Sequence, residues 1–313
     1  MNADEFWGNS SMKYTGYKLD FKTAVHFGAG HLEDAGHTLY ADTIFSALCH
    51  EAVSNGVLDE LIEVVKNGKL MISDALPYHN DTYYLPKPMI AIETESDSTV
   101  KKKVKNLDYI EIDSLDDYIN GCMDVAKASE HLSSMGSSEI RIMVSVDNEE
   151  ETTPFSVGTY RFNDGWGLYI IIGYEADDTL YMLEDLLISL QYSGIGGKKS
   201  AGLGKFILFP ANMPAALTDR IVTHSESRVM TMSISCCDDD NKDVCKEASY
   251  KLIKRSGFIS SETYSKNNFK KQDLYCYKSG AVFSGTFNGA LKDVSLQGNH
   301  PVYRYAIPMF LEV

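Results

Sequence analysis

Apolar and polar residues alternate from Tyr17 to Phe27, with Tyr17, Leu19, Phe21, Val25 and Phe27 set against Lys18, Asp20, Lys22 and His26. A period of two predicts a half-buried strand, with His26 beside Lys22 on its polar face. A turn-rich stretch runs from Gly28 to Gly36, and the period then changes. Ile44, Phe45, Leu48, Ala52 and Val53 follow helical spacing, with Asp42 or Thr43 placed to cap the start and Gly56 near the end. A short helix is expected over Leu58 to Val65. Tyr83 to Ile92 reads as extended, and Pro86 and Pro88 argue against a central strand position. From Glu93 to Thr153 the chain turns polar and charged, with a basic knot at Lys101, Lys102, Lys103 and Lys105 and a helix expected from Ser114. This stretch, 93–153, reads as an insertion. Trp166 to Tyr174 is a buried strand. Leu180, Leu183, Leu186, Leu187 and Leu190 then mark a helix capped by Asp177 or Asp178, and Phe206 to Phe209 suits a buried strand.

Strand, helix, extended segment, strand, helix and strand make the β-α-β-β-α-β order of a ferredoxin-like (RRM-like) domain. A less regular copy follows. Met230, Met232, Ile234 and Cys236 alternate as a strand, and Lys242 to Arg255 suits a helix closed by Gly257. Asp273 to Phe287 and Val302 to Leu311 supply further strands. The expected class is α+β, with two ferredoxin-like domains in tandem, 1–210 and 211–313. The first carries the insertion and the second is degenerate.

Residues 192–206, between the leucine-rich helix and the last strand of the first domain, hold five glycines, Gly194, Gly196, Gly197, Gly202 and Gly204. Lys198, Lys199, Ser200 and Lys205 are interleaved with them. Clustered glycine marks unusual torsions or close approach, and exposed amides beside ammonium groups make an anion site. The segment is not a Walker loop, because Tyr192 stands five residues before Gly197 and Lys198 is followed by Lys199. Nor is it a dinucleotide fingerprint, and it runs from helix to strand rather than from strand to helix.

Composition narrows the reading. No apolar run approaches a membrane span, and the acidic start, Met-Asn-Ala-Asp-Glu, is unlike a signal peptide. Six cysteines show no Cys-x-x-Cys pair, and Cys236, Cys237 and Cys245 lack a nearby histidine, which argues against zinc and for a reducing cytoplasm. The net charge is −15, but unevenly spread. Residues 1–197 carry 13 basic and 33 acidic side chains, a sum of −20; residues 198–313 carry 16 and 11, a sum of +5. A basic region on an acidic body can still neutralise phosphates locally.

The glycine loop Gly194 to Gly204 resembles that of the RAMP superfamily of CRISPR proteins, and the chain is similar to the fourth RAMP subunit of the type III-A Csm complex. Further matching segments are His26-Phe-Gly28, Ala41 to Leu48, Leu85-Pro-Lys-Pro88, Arg255-Ser-Gly-Phe258, Lys278 to Phe283 and His300-Pro-Val-Tyr-Arg-Tyr305. Ala306 departs from the glycine that usually follows the last of these. The resemblance implies a non-catalytic subunit needing no cofactor or metal. It would hold the repeat-derived 5′ handle of the CRISPR RNA beside the large polymerase-like signalling subunit and the backbone RAMP subunit, and would insert a hairpin thumb.

Carried onto this sequence, the loop with Lys198, Lys199 and Ser200 would grip the RNA, and the segment from Lys101 to Lys105 is the thumb candidate. Lys87, His26, Arg255, His300, Tyr303 and Arg304 are further candidate RNA contacts. Tyr192, Phe206, Tyr303 and Tyr305 could stack on bases. The alternative is a metal-independent CRISPR RNA-processing endonuclease of the same fold, with His26 and Lys22 as its acid–base pair and Glu33 and Asp34 in the following loop. A scaffold contacting mainly protein is a third reading.

Overall fold

The computed structural model describes residues 12–28, 30–91, 104–145, 153–238, 243–259, 269–296 and 298–313. Within the first two-thirds of the chain, besides a two-residue ribbon of Phe27–Gly28 with Ala35–Gly36, the strands are β1 (Lys13–Phe21), β2 (Leu70–Ile72), β3 (Leu76–His79), β4 (Thr82–Pro86), β5 (Tyr109–Glu111), β6 (Gly136–Ser145), β7 (Thr153–Phe162), β8 (Trp166–Tyr174) and β9 (Phe206–Ala211). The principal helices are α1 (Ala41–Asn55), α2 (Leu58–Lys66), α3 (Val125–Ser133) and α4 (Asp177–Ser193). Among the described residues, seven strands form one antiparallel sheet in the order β9-β1-β8-β3-β4-β5, with β2 also paired to β8.

Tyr17, Leu19 and Phe21 of β1 are buried, as their alternation predicts. The strand nevertheless stops at Phe21, well short of Phe27. There the chain bends to meet the end of the glycine loop: Lys22 N donates to Lys205 O at 2.9 Å, and Lys205 N donates to Thr23 Oγ1 at 3.0 Å. Lys22 instead pairs with Asp20, and His26 is buried. The expected polar face carrying both residues is not formed.

Three other expectations change. β4 lies between β3 and β5 rather than at an edge, because Pro86 occupies its last position and Pro88 falls beyond it. β9 is an edge strand with Ile207 and Phe209 exposed, not a buried one. The insertion contains β5, a short helix at Leu115–Ile119, α3 and one arm of a long hairpin, β6–β7, registered from Gly136↔Phe162 to Ser145↔Thr153. The basic triplet Lys101, Lys102 and Lys103 lies outside the described residues.

The C-terminal strands are β10 (Ile221–Val222), β11 (Val229–Thr231), β12 (Leu252–Arg255), β13 (Leu274–Tyr277), β14 (Val282–Phe283), β15 (Ala290–Asp293), β16 (Tyr303–Ala306) and β17 (Phe310–Glu312). Four of them form a sheet in the order β10-β17-β11-β14, while β12–β13 and β15–β16 make two-stranded ribbons. The helix expected over Lys242 to Arg255 is absent from its described part: Leu252–Arg255 pairs with Leu274–Tyr277, so cross-strand pairing overrides local helix propensity. Among the described residues no helix is long and apolar enough to cross a membrane.

The two parts share one hydrophobic core, and its polar rivets lie at the start of α1. Arg255 donates to Asp42 through Nε at 2.9 Å and Nη2 at 2.8 Å, and Arg304 Nη1 donates to Oδ2, the oxygen that also accepts from Arg255 Nε. Asp42 and the Arg304 side chain are almost wholly buried. Asp74 Oδ1 accepts from Ala41 N at 2.8 Å and Ile234 N at 3.1 Å, and Tyr305 OH accepts from Ile72 N at 2.8 Å. Burial pushes the Asp42 carboxyl up, but Arg255 and Arg304 outweigh it and hold it below the ordinary range. Asp74 has no such partner, and burial, only partly offset by the Ala41 and Ile234 amides and Ser279, pushes it up to about 7.

These opposite shifts give opposite pH dependences. Folded Asp74 keeps its proton up to about pH 7, whereas in the unfolded chain it is lost near pH ~4. The native state therefore binds the extra proton in that window, and stability falls as pH rises through it. The Asp42 contribution is present above its unfolded pKa and is lost as pH drops through the depressed folded value. Asp74→Asn is expected to flatten the slope between those limits and to raise unfolding free energy at pH ~8 by an amount on the order of 1–4 kcal/mol. Asp42→Ala leaves two guanidinium groups unpaired and should cost roughly 3–5 kcal/mol. Denaturant titrations of each variant and wild type at mildly acidic and mildly alkaline pH check both.

Candidate nucleic-acid interface

The glycine loop leaves α4 at Gly194 and re-enters the sheet at Phe206. Its base is fixed at two points. Ile195 N donates to Gly204 O at 2.9 Å, closing the loop on itself, and Gly204 N donates to Ala24 O at 2.9 Å. Ile195 and Leu203 are buried beneath it. Gly204 needs a bare Cα: its φ is +75°, and a Cβ there would lie 2.0 Å from Ile195 O.

Above this base the backbone turns outward. Lys198 adopts left-handed torsions, φ +58°, and leads into a single 3₁₀ turn at Lys199–Ala201. The amides of Ile195, Gly197, Ala201, Gly202 and Gly204 donate to nearby carbonyls. Those of Lys198, Lys199 and Ser200 make no hydrogen bond among the described residues. Three consecutive amides with adjoining ammonium groups form the kind of concavity that takes an oxyanion. Lys198 Nζ stands 4.5 Å from the centroid of the Phe155 ring, a cation–π contact that aims it along the β6–β7 hairpin.

His26 underlies the loop rather than facing solvent. Its carbonyl accepts from Gly197 N at 2.9 Å, its ring lies against Gly197 Cα, and Nδ1 sits 2.6 Å from Gly158 O on β7. Val25 and Tyr160 exchange both backbone hydrogen bonds at 2.8 Å, so the same short segment carries the loop on one side and the hairpin on the other.

The remaining predicted contacts scatter. Arg255 and Arg304 belong to the Asp42 cluster, Arg304 Nη2 also donating to Ser256 O at 3.2 Å, so neither is presented to a ligand; this corrects the expectation for both. Lys87 follows β4, three strands away from β1, with Nζ on Val104 O. Burial, then Lys251, lowers its pKa despite Asp108. It straps the end of β4 to the residues leading into β5 and is not a free phosphate ligand. Tyr303 OH accepts from Lys66 Nζ at 2.8 Å, with the ammonium 4.4 Å from its ring centroid. His300 is exposed, its Nδ1 2.9 Å from Pro301 O. Of the stacking candidates, Tyr305 and Phe206 are core residues and Tyr192 is exposed.

The comparisons with known proteins bear on this arrangement. The family model for the CRISPR Csm4 C-terminal domain matches residues 224–313. Over 298 residues, 94% of this chain and 96% of the relative, the sequence is 35% identical to the CRISPR system Cms protein Csm4 of Mycobacterium tuberculosis strain ATCC 25618 / H37Rv. The chain belongs to the Csm4 family. Csm4 of Streptococcus thermophilus is 33% identical over 313 residues, spanning 96% of this chain and 99% of the relative. In fold, the chain is similar to one in the crystal structure of a Csm3–Csm4 subcomplex of the type III-A CRISPR-Cas interference complex, with TM-score 0.65, 16% identity and coverage of 96% and 99%. A chain of the Csm1–Csm4 cassette in complex with pppApA gives TM-score 0.57 at 16% identity, with coverage of 96% and 98%.

Within this Csm4-family chain, two basic residues that pattern reading missed adjoin the loop electrostatically. Burial lowers the His50 pKa, and the charges of Lys199 and Lys271 lower it further. Lys271 is itself lowered by burial and then by Arg304. His50 sits on α1 one residue before Glu51, whose carboxylate accepts from Ser193 Oγ and Ser189 Oγ of α4, both at 2.5 Å. Lys271 N donates to Gly257 O at 2.8 Å, two residues beyond the Asp42-bound Arg255. Lys199 of the glycine loop and Lys271 ahead of β13 thus flank the neutral His50 imidazole on α1, and the two lysines make a shared positive region. No motif contains all three, and only the fold gathers them.

The glycines separate into tight and open positions, which gives a direct test. Gly202 has φ +81° with open space where its Cβ would go. Gly202→Ala should cost about 1–2 kcal/mol, the left-handed penalty alone. Gly204→Ala adds a backbone collision and is expected to cost more and to loosen the loop. Thermal denaturation together with amide exchange at Ile195 and Gly204 distinguishes the two.

Proposed function

We propose that this Csm4-family chain is a non-catalytic, RNA-holding subunit of a type III-A CRISPR interference complex, gripping the 5′ handle of the CRISPR RNA at the glycine loop. The observation that carries the reading is the row of partnerless amides at Lys198, Lys199 and Ser200, flanked by two ammonium groups with no acidic partner among the described residues. Fixed amides and lysines suit a ribose-phosphate backbone, and Lys271, beyond His50, continues the positive path toward the C-terminal part. Solved complexes pair Csm4 with Csm3 and with Csm1. The corresponding partners here are a backbone RAMP subunit and the large polymerase-like subunit.

The sheet order β9-β1-β8 followed by β2 and β3 supports a ferredoxin-like first domain, with the first and third strands central. The C-terminal sheet and ribbons fit a degenerate second copy. We reassign the thumb to the β6–β7 hairpin. It is ten residues long on each arm, and Ile140, Ile142 and Val144 line one face of β6 at 67%, 75% and 53% exposure. An apolar wedge beside a basic loop suits insertion next to a base.

The endonuclease reading asks His26 to serve as acid or base at a 2′-hydroxyl, yet the imidazole is buried with Nδ1 committed to Gly158 O. The binding reading is tested by assembling the complex with Lys198→Glu and Lys199→Glu together. CRISPR RNA should be lost from the purified assembly, and residual binding should show a salt slope reduced by about 2. A scaffold would retain its RNA. Incubation of the chain with repeat RNA in EDTA should yield no cleavage; cleavage abolished by His26→Ala would establish the nuclease instead.

A further inference from the structure

Cys236 and Cys276 meet side by side, 40 residues apart in sequence, with Sγ atoms 3.3 Å apart. Their register explains the closeness. Ser235 and Tyr277 exchange both backbone hydrogen bonds, Ser235 N to Tyr277 O at 3.2 Å and Tyr277 N to Ser235 O at 2.8 Å. The next pair outward, Cys236 opposite Cys276, therefore occupies a non-hydrogen-bonded antiparallel position. There, facing Cα atoms approach to about 4.5 Å, inside the window that a disulfide spans. Both cysteines are free thiols.

We propose that these two cysteines are a redox modification site, closing to a cross-strand disulfide when the chain meets a small-molecule disulfide oxidant such as oxidised glutathione. The environment assigns separate roles. Cys276 is sealed from solvent, whereas Cys236 keeps 8% of its surface exposed. Cys236 therefore meets the oxidant and Cys276 resolves. The neighbouring Cys276 thiol, followed by Lys292 and Arg304, draws the Cys236 pKa down, and Cys276 is pushed up. In the first step the Cys236 thiolate attacks one sulfur of oxidised glutathione, forming a mixed disulfide and expelling one glutathione thiolate. In the second, Cys276 attacks Cys236 Sγ and expels the second glutathione as thiolate, which takes up the proton that Cys276 gives up. The protein loses two electrons and two protons; one oxidised glutathione becomes two reduced ones.

The closed loop would contain β12, and with it Arg255, the bidentate partner of Asp42. Cross-linking this loop removes freedom from the unfolded chain and steadies the strand that delivers Arg255. The inference is independent of RNA binding. Intracellular disulfides of this kind are characteristically reversible and redox-sensing rather than permanent.

The test uses the full-length reduced chain, titrated with oxidised glutathione and then alkylated and peptide-mapped. Exposed Cys122 serves as the internal reference for accessible thiols. The expected product is a Cys236–Cys276 cross-link with loss of two hydrogens, reversed by dithiothreitol and accompanied by a higher thermal midpoint. Cys276→Ser should halt at a glutathione adduct on Cys236, and Cys236→Ser should leave Cys276 unmodified. Two results overturn the proposal: Cys236 and Cys276 both alkylatable after Cys122 is fully glutathionylated, or Cys236 linked to Cys237 or Cys245 instead. The wild-type map decides between them even if neither serine variant folds.

Discussion

Asp42 places one negative charge between the guanidinium groups of Arg255 and Arg304, which arrive from 213 and 262 residues away along the chain. Neither arginine could be buried there without it, because an unpaired internal charge costs several kcal/mol. The carboxylate is held rigidly by its position in the first turn of α1, where the helix dipole also favours an anion. β12 and β16 are tied to that turn, and the Phe45 and Tyr305 rings pack 5.6 Å apart just beneath. At the other end of α1, Glu51 accepts two serine hydroxyls from α4 where the glycine loop begins. A single helix therefore sets the C-terminal strands and the loop relative to each other.

That arrangement has an electrostatic consequence. Two guanidinium groups against one carboxylate leave a positive excess, and Lys271 and Lys199 extend it outward past the neutral His50. The lowered pKa values of His50 and Lys271 record burial first and then repulsion by the nearby positive charges, which Glu51 and Asp42 offset only in part. On the proposed reading, a phosphate chain relieves that repulsion, so stability given up in the free chain reappears as affinity. The acidic first part of the sequence does not oppose this. Part of its charge is taken up in exposed ion pairs, such as Asp177 with Lys13 and Asp116 with Arg220, and solvent ions screen exposed charges over distances of about 10 Å.

Local pattern revealed the elements whose stability is local. α1, α2, α4 and β8 fall within a few residues of their expected positions, since periodicity and glycine punctuation decide them. Position in the sheet was less legible: Pro86 suggested an edge, but a proline at the last residue of β4 removes no interior hydrogen bond. The C-terminal helix failed because Leu252 to Arg255 finds a partner in Leu274 to Tyr277, a pairing invisible to a short window. Of the candidate site, the loop itself was legible, since its glycines follow from torsions and contacts within the loop. The arginines were misread. Arg255 and Arg304 look like surface cations in sequence, and only the long-range approach to Asp42 shows that their role is to be neutralised.

His26 shows how a motif can carry shape rather than chemistry. In the His-Phe-Gly segment the backbone carbonyl and the ring face both touch Gly197, while Nδ1 meets Gly158 O and Phe27 packs edge-on to Phe21. A flat side chain with a polar edge can fill the gap between loop and hairpin and still satisfy a buried carbonyl, which an aliphatic group of equal size would leave unpaired. The residue that resembles an acid–base catalyst is thus a spacer. It sits where the glycine loop meets the hairpin, and on the proposed reading that junction decides whether a nucleotide held by the loop can be reached by the hairpin.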